Sequence, residues 1–356
     1  MRTKWLQGRR TRKWLLLALL FPALSACSLG KPADRSSSAS IDPPPLNLEE
    51  AWMQDSAEST TMNGNDMVTV YLMDRNGYLA PMSLREEGSL SATTSSAEKA
   101  IAWMTVNKQL ADQLPPGFTA VLPEGTKVSS VTENKAERTI SVDFTAPFPG
   151  IAASRERKVI EALVWTLTEL PGIDKVMLSV GGKPIRSLPS SGLPVDTVLT
   201  RGLGINVEKA KDVQPTYSMG VTLYFSSQTA EGEGYFVPVT RLINRQADPA
   251  KAALEQLIIG PQNVKTLKPV LAPNLAVEKL SLLADTVNVA LKDDDLTPKS
   301  PVSSDMMEAL VLTLTEATGA PQVSVVMNGD DSFTDSADRS YERPVIRPAY
   351  VNVLSR

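Results

Sequence analysis

Four glutamates bracket a stretch that occurs twice in the chain, Glu161 and Glu169 first, then Glu308 and Glu316. Two carboxylates can act as acid and base, and glycan cleavage needs them about 5–9.5 Å apart across a cleft. Each pair is instead separated by eight residues of helical pattern, with Leu163 and Leu167 on the inward side of the first. That spacing reads as a solvated face. Histidine is absent, which removes Ser-His-Asp and Cys-His hydrolysis and the commonest zinc ligand. Asp293-Asp294-Asp295 and the run Asp330, Asp331, Asp335, Asp338 offer oxygens for calcium, but without EF-hand spacing they read as solvated acidic loops. Ser96 and Lys99 sit where a helix needs a cap, and no glycine pattern makes a phosphate loop. No catalytic residue, no metal ligand and no cofactor site is therefore expected. Thr166 and Thr168, with Thr313 and Thr315, read as helix positions whose hydroxyls bond the i−4 carbonyl, a partner contact being the alternative. Trp103 and Trp165 read as packing residues.

The single cysteine, Cys27, carries different chemistry. Arg2, Lys4, Arg9, Arg10, Arg12 and Lys13 precede an apolar run from Trp14 to Leu24. Such a run is shorter than the roughly 20 residues that span a bilayer and fits an export leader. Leu24-Ser25-Ala26-Cys27 resembles the bacterial lipobox, with Leu24, Ser25 and Ala26 recognised by the signal peptidase. The resemblance implies a diacylglyceryl thioether on Cys27 and attachment to the outer face of the cell membrane. The expected divisions are a signal peptide over 1–26 and a tether over 27–66, whose Ser36-Ser37-Ser38 and Pro43-Pro44-Pro45 cannot build a core. The net charge of −4 includes the basic leader, so the remainder is more acidic and nucleic acid is excluded as a partner.

The elements that hold these residues come in duplicate. Glu161-Ala-Leu-Val-Trp-Thr-Leu-Thr-Glu169 returns as Glu308-Ala-Leu-Val-Leu-Thr-Leu-Thr-Glu316, differing only at Trp165 and Leu312. At the same spacing Ile140, Val142 and Phe144 fall on Val287, Val289 and Leu291. Val68-Thr-Val-Tyr-Leu72 matches Val221-Thr-Leu-Tyr-Phe225. In copy one the patterns predict a strand at Val68–Met73 and a helix from Ser95 or Ser96 to about Leu114, stopped by Pro115-Pro116-Gly117. Strands over 126–132 and 138–144 follow, then a helix capped by Ser154 and a strand at Val176–Val180. Copy two repeats the order from Val221, with helices from Asp248 and over Ser304–Thr318 and a last strand at Val323–Met327. The expected fold is α+β: two tandem homologous β-α-β-β-α-β domains at 67–186 and 217–333, each a small sheet packed with two helices. A linker over 187–216 joins them, and a tail covers 334–356.

The duplicated Val-Thr-(Val/Leu)-Tyr strand, Thr139-Ile-Ser-Val-Asp-Phe144, the repeated helix and the lipobox together resemble the GerM family of sporulation and germination lipoproteins. The resemblance implies tandem GerM domains, similar to ring-building modules of secretion systems, and no established enzymatic activity. It further implies a scaffold supporting the mother cell–forespore channel complex of SpoIIIA–SpoIIQ type, in the space between the two membranes, with homo-oligomer or ring association open. Family members often carry Gly-Pro after the first helix, as at Gly260-Pro261, whereas copy one has Asn107-Lys108 there. The alternatives are a carboxylate-dependent peptidoglycan hydrolase and an envelope ligand-binding lipoprotein.

Overall fold

Val70, Tyr71 and Leu72 are buried in succession, which a strand achieves only when both its faces are covered. They belong to β1 (Met67–Met73), which pairs antiparallel with β2 (Leu79–Arg85) as the opening hairpin of copy one. The computed structural model describes residues 67–85, 94–146, 148, 150–297 and 300–353, all within one compact unit. Leu24, Ser25, Ala26, Cys27 and the tether lie outside the described residues.

After the hairpin come helix α1 (Ser96–Met104), strands β3 (Val128–Asn134) and β4 (Thr139–Phe144), helix α2 (Ala153–Leu167), β5 (Lys175–Val180) and the short β6 (Lys183–Pro184). A two-residue strand β7 (Glu208–Lys209) precedes copy two. Copy two has the hairpin β8 (Ser218–Gln228) and β9 (Gly234–Asn244), then α3 (Pro249–Ile259), β10 (Ala276–Leu283), β11 (Thr286–Lys292), α4 (Ser304–Thr318), β12 (Gln322–Met327) and β13 (Val345–Ile346). The α+β class and the tandem repeat stand. Each copy holds two strands more than the sequence pattern predicts, β2 and the short β6 in copy one, β9 and the short β13 in copy two, so the unit reads β-β-α-β-β-α-β-β.

The sheets run β3-β4-β5-β6 and β10-β11-β12-β13. In each, the parallel pair, β4 with β5 or β11 with β12, is joined through the long helix. Ile140, Val142 and Phe144 face that helix from β4, as Val287, Val289 and Leu291 do from β11. Leu167 and Leu314 are fully buried on the helices. One continuous core includes residues of both copies.

Three helix boundaries differ from expectation. Helix α1 ends at Met104, not near Leu114, because Thr105 turns extended and bridges to Leu122. The Val106 N–H then donates to the Leu122 carbonyl, and a single further turn, Lys108–Ala111, follows. Copy one therefore stops this helix earlier than copy two, where Gly260 closes α3 at φ +84°. Ser154 lies inside α2 and does not cap it, since the chain enters the helix at Ala152. Helix α2 also ends at Leu167, short of Pro171-Gly172, where the sequence places its stop.

Candidate functional site

The hairpins meet at β2 and β9, the latter also pairing with β7 at Arg241 and Leu242, and both strands carry a proline, Pro81 and Pro238, cross-strand from Tyr71 and Tyr224. Proline has no N–H to give a ladder, so the seam is joined by side chains. Asn206 donates from Nδ2 to the Leu79 and Pro238 carbonyls, both at 2.7 Å, and its Oδ1 accepts from the Leu79 N–H. Asn352 does the same with the copies exchanged. Its Nδ2 donates to Pro81 and Phe236 carbonyls, and its Oδ1 accepts from the Phe236 N–H. Both asparagines hold positive φ, 47° and 56°, a conformation asparagine tolerates better than most residues. Beside them, the Ile205 N–H donates to Thr240 Oγ1 and the Val351 N–H to Ser83 Oγ. The seam is thus a pseudo-twofold of hydrogen bonds.

These residues expose a part of the duplication that the sequence reading passes over. Arg201, Ile205, Asn206 and Val207 recur 146 positions later as Arg347, Val351, Asn352 and Val353. Leu199 exchanges two backbone hydrogen bonds with Val176, and Val345 in β13 takes the equivalent place beside Val323. The supposed linker and tail therefore contain the last element of each copy. The signal was an arginine followed at fixed distance by Ile/Val-Asn-Val.

The two arginines bring the ends of α2 and α4 together. Arg201 holds Glu169 at 2.6 Å and reaches across to Glu316 at 2.8 Å. Its Nε donates to Thr168 Oγ1, and its guanidinium lies 4.5 Å from the Trp165 ring centre. Arg347 holds Glu316 at 3.0 Å and donates to Tyr224 Oη, Thr315 Oγ1 and the Leu312 carbonyl. Tyr71 completes the chain, donating to Glu169 at 2.9 Å. Side-chain exposure of the four charged residues is only 13–23%. Glu169 and Glu316 are thus not the solvated face that their spacing suggests. Burial would raise the Glu169 carboxyl, but Arg201, Arg347 and the Tyr71 hydroxyl outweigh it and hold it below its ordinary value. Burial pushes the Tyr224 hydroxyl up to about 12.

Glu161 and Glu308 also leave the solvated class. Glu161 is 2% exposed, accepts from Arg157 Nε and the Asn206 N–H, and is raised by burial. Glu308 is raised chiefly by burial as well. Thr168 and Thr315 bond their i−4 carbonyls as expected. Thr166 and Thr313 do not; they accept the outward N–H of Tyr71 and Tyr224, fastening each helix to its hairpin. Trp165 is fully buried and donates to the Gly204 carbonyl, and Trp103 is 2% exposed. Asp335 is buried under the Tyr341 hydroxyl and two backbone N–H groups, so it is no free calcium ligand. Among the described residues no group of acids is arranged to hold a metal ion.

An open cleft of about 600 Å³ lies against the clasp, lined by Thr168, Arg201, Thr315, Glu316 and Arg347. Both terminal nitrogens of Arg347 are already committed, and each carboxylate faces a guanidinium. The chemistry of this arrangement is adhesion.

Comparison with known proteins decides the lineage. The family model Germane, described as sporulation and spore germination, matches residues 69–186 and 222–332. The chain belongs to the GerM family. It is 30% identical over 315 residues to the spore germination protein GerM of Bacillus subtilis strain 168, covering 86% of this chain and 83% of that protein. The solved structure of the tandem GerMN domains of the sporulation protein GerM from Bacillus subtilis superposes with a TM-score of 0.74 at 30% identity. That match covers 81% of this chain and 99% of the other. Among the described residues no helix is long and apolar enough to cross a membrane.

Proposed function

We propose that this GerM-family chain is a non-catalytic assembly lipoprotein of sporulation. It is held on the extracytoplasmic face of the membrane through lipid on Cys27. It supports the channel complex between mother cell and forespore by protein–protein contact. The observation that carries the reading is the clasp. The acids that a cleft enzyme would use are spent on Arg201 and Arg347, and the spending makes the two copies one body. That body carries two sheet-end strands, β3 and β10, with mostly exposed side chains, including Leu282 and Leu283. A sheet end with unpaired backbone groups is a template for an added strand.

The test is co-purification from sporulating cells with Thr132→Pro in β3 or Ser281→Pro in β10. Loss of envelope partners with unchanged thermal unfolding supports the reading. Turnover of peptidoglycan that disappears on a single Asp or Glu substitution, with partners retained, sinks it. Cys27→Ser should abolish acylation in mass spectrometry and release the chain from the membrane fraction. Unaltered acylation and fractionation would refute the anchor.

A further inference from the structure

A cavity of about 510 Å³ opens in copy one between the N-terminal half of α2, the ends of β4 and β5, and the segment 183–190. Its wall is apolar: Phe144, Phe148, Ile151, Ile160, Leu163 and Ile185. Phe144 and Phe148 pack edge to face at 5.1 Å and make one side of it. Glu156, at the helix start, is buried and stays ionised, because burial, which would raise its carboxyl, is outweighed by hydrogen bonds from Ser190 and Ser191 that lower it. Its two oxygens accept the N–H groups of Ser190 and Ser191 at 2.7 and 2.8 Å, which ties the covering segment to the helix. The rim carries Lys183 and Arg186, both exposed, and no ion pair engages either side chain among the described residues.

Copy two shows what this place looks like without those features. At the same 147-residue spacing Lys183 becomes Asp330, Ile185 becomes Ser332, Arg186 becomes Phe333 and Glu156 becomes Ser303. Phe333 turns onto Tyr341 in a parallel stack at 4.8 Å. The cavity left there, about 530 Å³, is lined by Thr297, Ser300, Asn328, Asp330, Ser332 and Thr334 among others. One fold position is therefore apolar with two cations at its rim in copy one, and mixed in copy two, where Leu296, Val302 and Met327 join the polar residues and Asp330 is the one charged group.

We propose that the copy-one cavity binds a small anionic amphiphile, a carboxylate on an apolar tail of fatty-acid size. The tail lies against Phe144, Phe148 and Leu163, and the carboxylate meets Lys183 and Arg186. The volume lies in the range of about 300–1,000 Å³ typical of small-molecule sites, several side chains' worth, which favours a small ligand over a single anchor residue of a protein. The rim charge selects the sign of the head group. The inference is independent of the assembly reading.

Calorimetric titration of residues 28–356, which contain every residue of the described fold, with dodecanoate and octanoate below their micelle concentrations tests it. Dodecanoate should bind one to one. Octanoate should bind more weakly by about fourfold per methylene removed, the value for a fully buried chain. The double variant Lys183→Glu, Arg186→Glu should weaken dodecanoate at least tenfold without weakening dodecyltrimethylammonium. Ile185→Trp should block both. Asp330→Lys in copy two should leave dodecanoate binding unchanged. Should Ile185→Trp fail to fold, the charge-reversed variant decides, since both its sites are exposed. No dodecanoate binding, binding indifferent to the rim charges, or binding altered by Asp330→Lys overturns the proposal. Capture of an acidic, apolar peptide without any dodecanoate binding also overturns it and assigns the cavity to a protein partner.

Discussion

Copy one and copy two present the same Tyr-Glu-Arg set to the seam and use it unequally. Arg201 joins the carboxylates of both copies, while Arg347 holds Glu316 and spends its other donors on its own helix and on Tyr224. The asymmetry coincides with the one difference in the repeated nonapeptide. Trp165 gives Arg201 a ring to lie on and a donor to pin Gly204. Leu312 offers neither, and Arg347 lies over Tyr224 at 5.5 Å instead. The duplication supplies a twofold, and within it copy one, through Arg201, does the bridging.

The broadest way to break the comparison is to remove one half of the twofold. Deleting residues 345–356 takes away β13, Arg347 and Asn352 while leaving copy one intact. The Phe236 N–H and the Pro81 carbonyl lose their partner, and Glu316 keeps only Arg201. The expected result is loss of the single cooperative transition, with copy two unfolding first in urea monitored by hydrogen exchange. A truncated chain that unfolds in one step at the wild-type midpoint would show that the tail is dispensable.

Next in size are the arginines. Arg201→Ala strands Glu169 with no cation of its own, a change that costs about 3–5 kcal/mol when a mostly buried pair loses one member. Arg347→Ala leaves Glu316 paired to Arg201 and should cost roughly half as much. Chemical denaturation of both variants checks the order, and equal losses would mean that the clasp is symmetric after all.

How much of this was legible in the chain follows from where the signals lay. Helix α4 and strands β4, β5, β11 and β12 carry clean periodicity and short connections, and they appear within a residue or two of expectation. Strands β2 and β9 do not. Leu79-Ala-Pro-Met-Ser-Leu lacks both alternation and β-branching, because it is buried on both faces, and its proline argues against a strand. The acids misled for a related reason. Helical spacing assigns Glu169 to the outer side of a helix, although α2 itself ends at Leu167. Whether that outer side meets water or the other copy depends on Arg201 and Arg347, which lie in stretches rich in proline and glycine that resemble loops. The cavity was illegible altogether, since it arises from covering segments of unlike sequence in the two copies.

A smaller effect sharpens the likeness of the copies. Thr166→Val and Thr313→Val keep shape and remove the acceptor for the Tyr71 or Tyr224 N–H. Each leaves one buried donor unsatisfied and should cost about 1–3 kcal/mol, equally in the two copies. A difference well beyond experimental error would show that one helix–hairpin junction has slack that the other lacks.

The smallest effect separates by pH two glutamates, Glu161 within α2 and Glu169 just past its end. Glu169 is held below its ordinary value by Arg201, Arg347 and Tyr71 against the opposing burial, so its folded form prefers the ion. Its contribution is present above the unfolded pKa, about 4.3, and is lost as pH falls through the lower folded value. Glu161 is raised by burial, with Lys158 and Arg157 only partly offsetting it, so its folded form prefers the proton. Its charged state weighs on stability above its folded pKa, and that weight is relieved as pH falls from neutrality toward about 4. Urea unfolding measured from pH 7 to pH 3 should therefore split the variants. Glu169→Gln should flatten the acid limb below about pH 4, and Glu161→Gln should change the slope only above it. Glu308, raised chiefly by burial in copy two, gives the internal control: Glu308→Gln should follow Glu161→Gln. If Glu161→Gln and Glu169→Gln alter the same pH range in the same direction, the two acids share one environment, and the division of α2 into a buried middle and a clasped end is wrong.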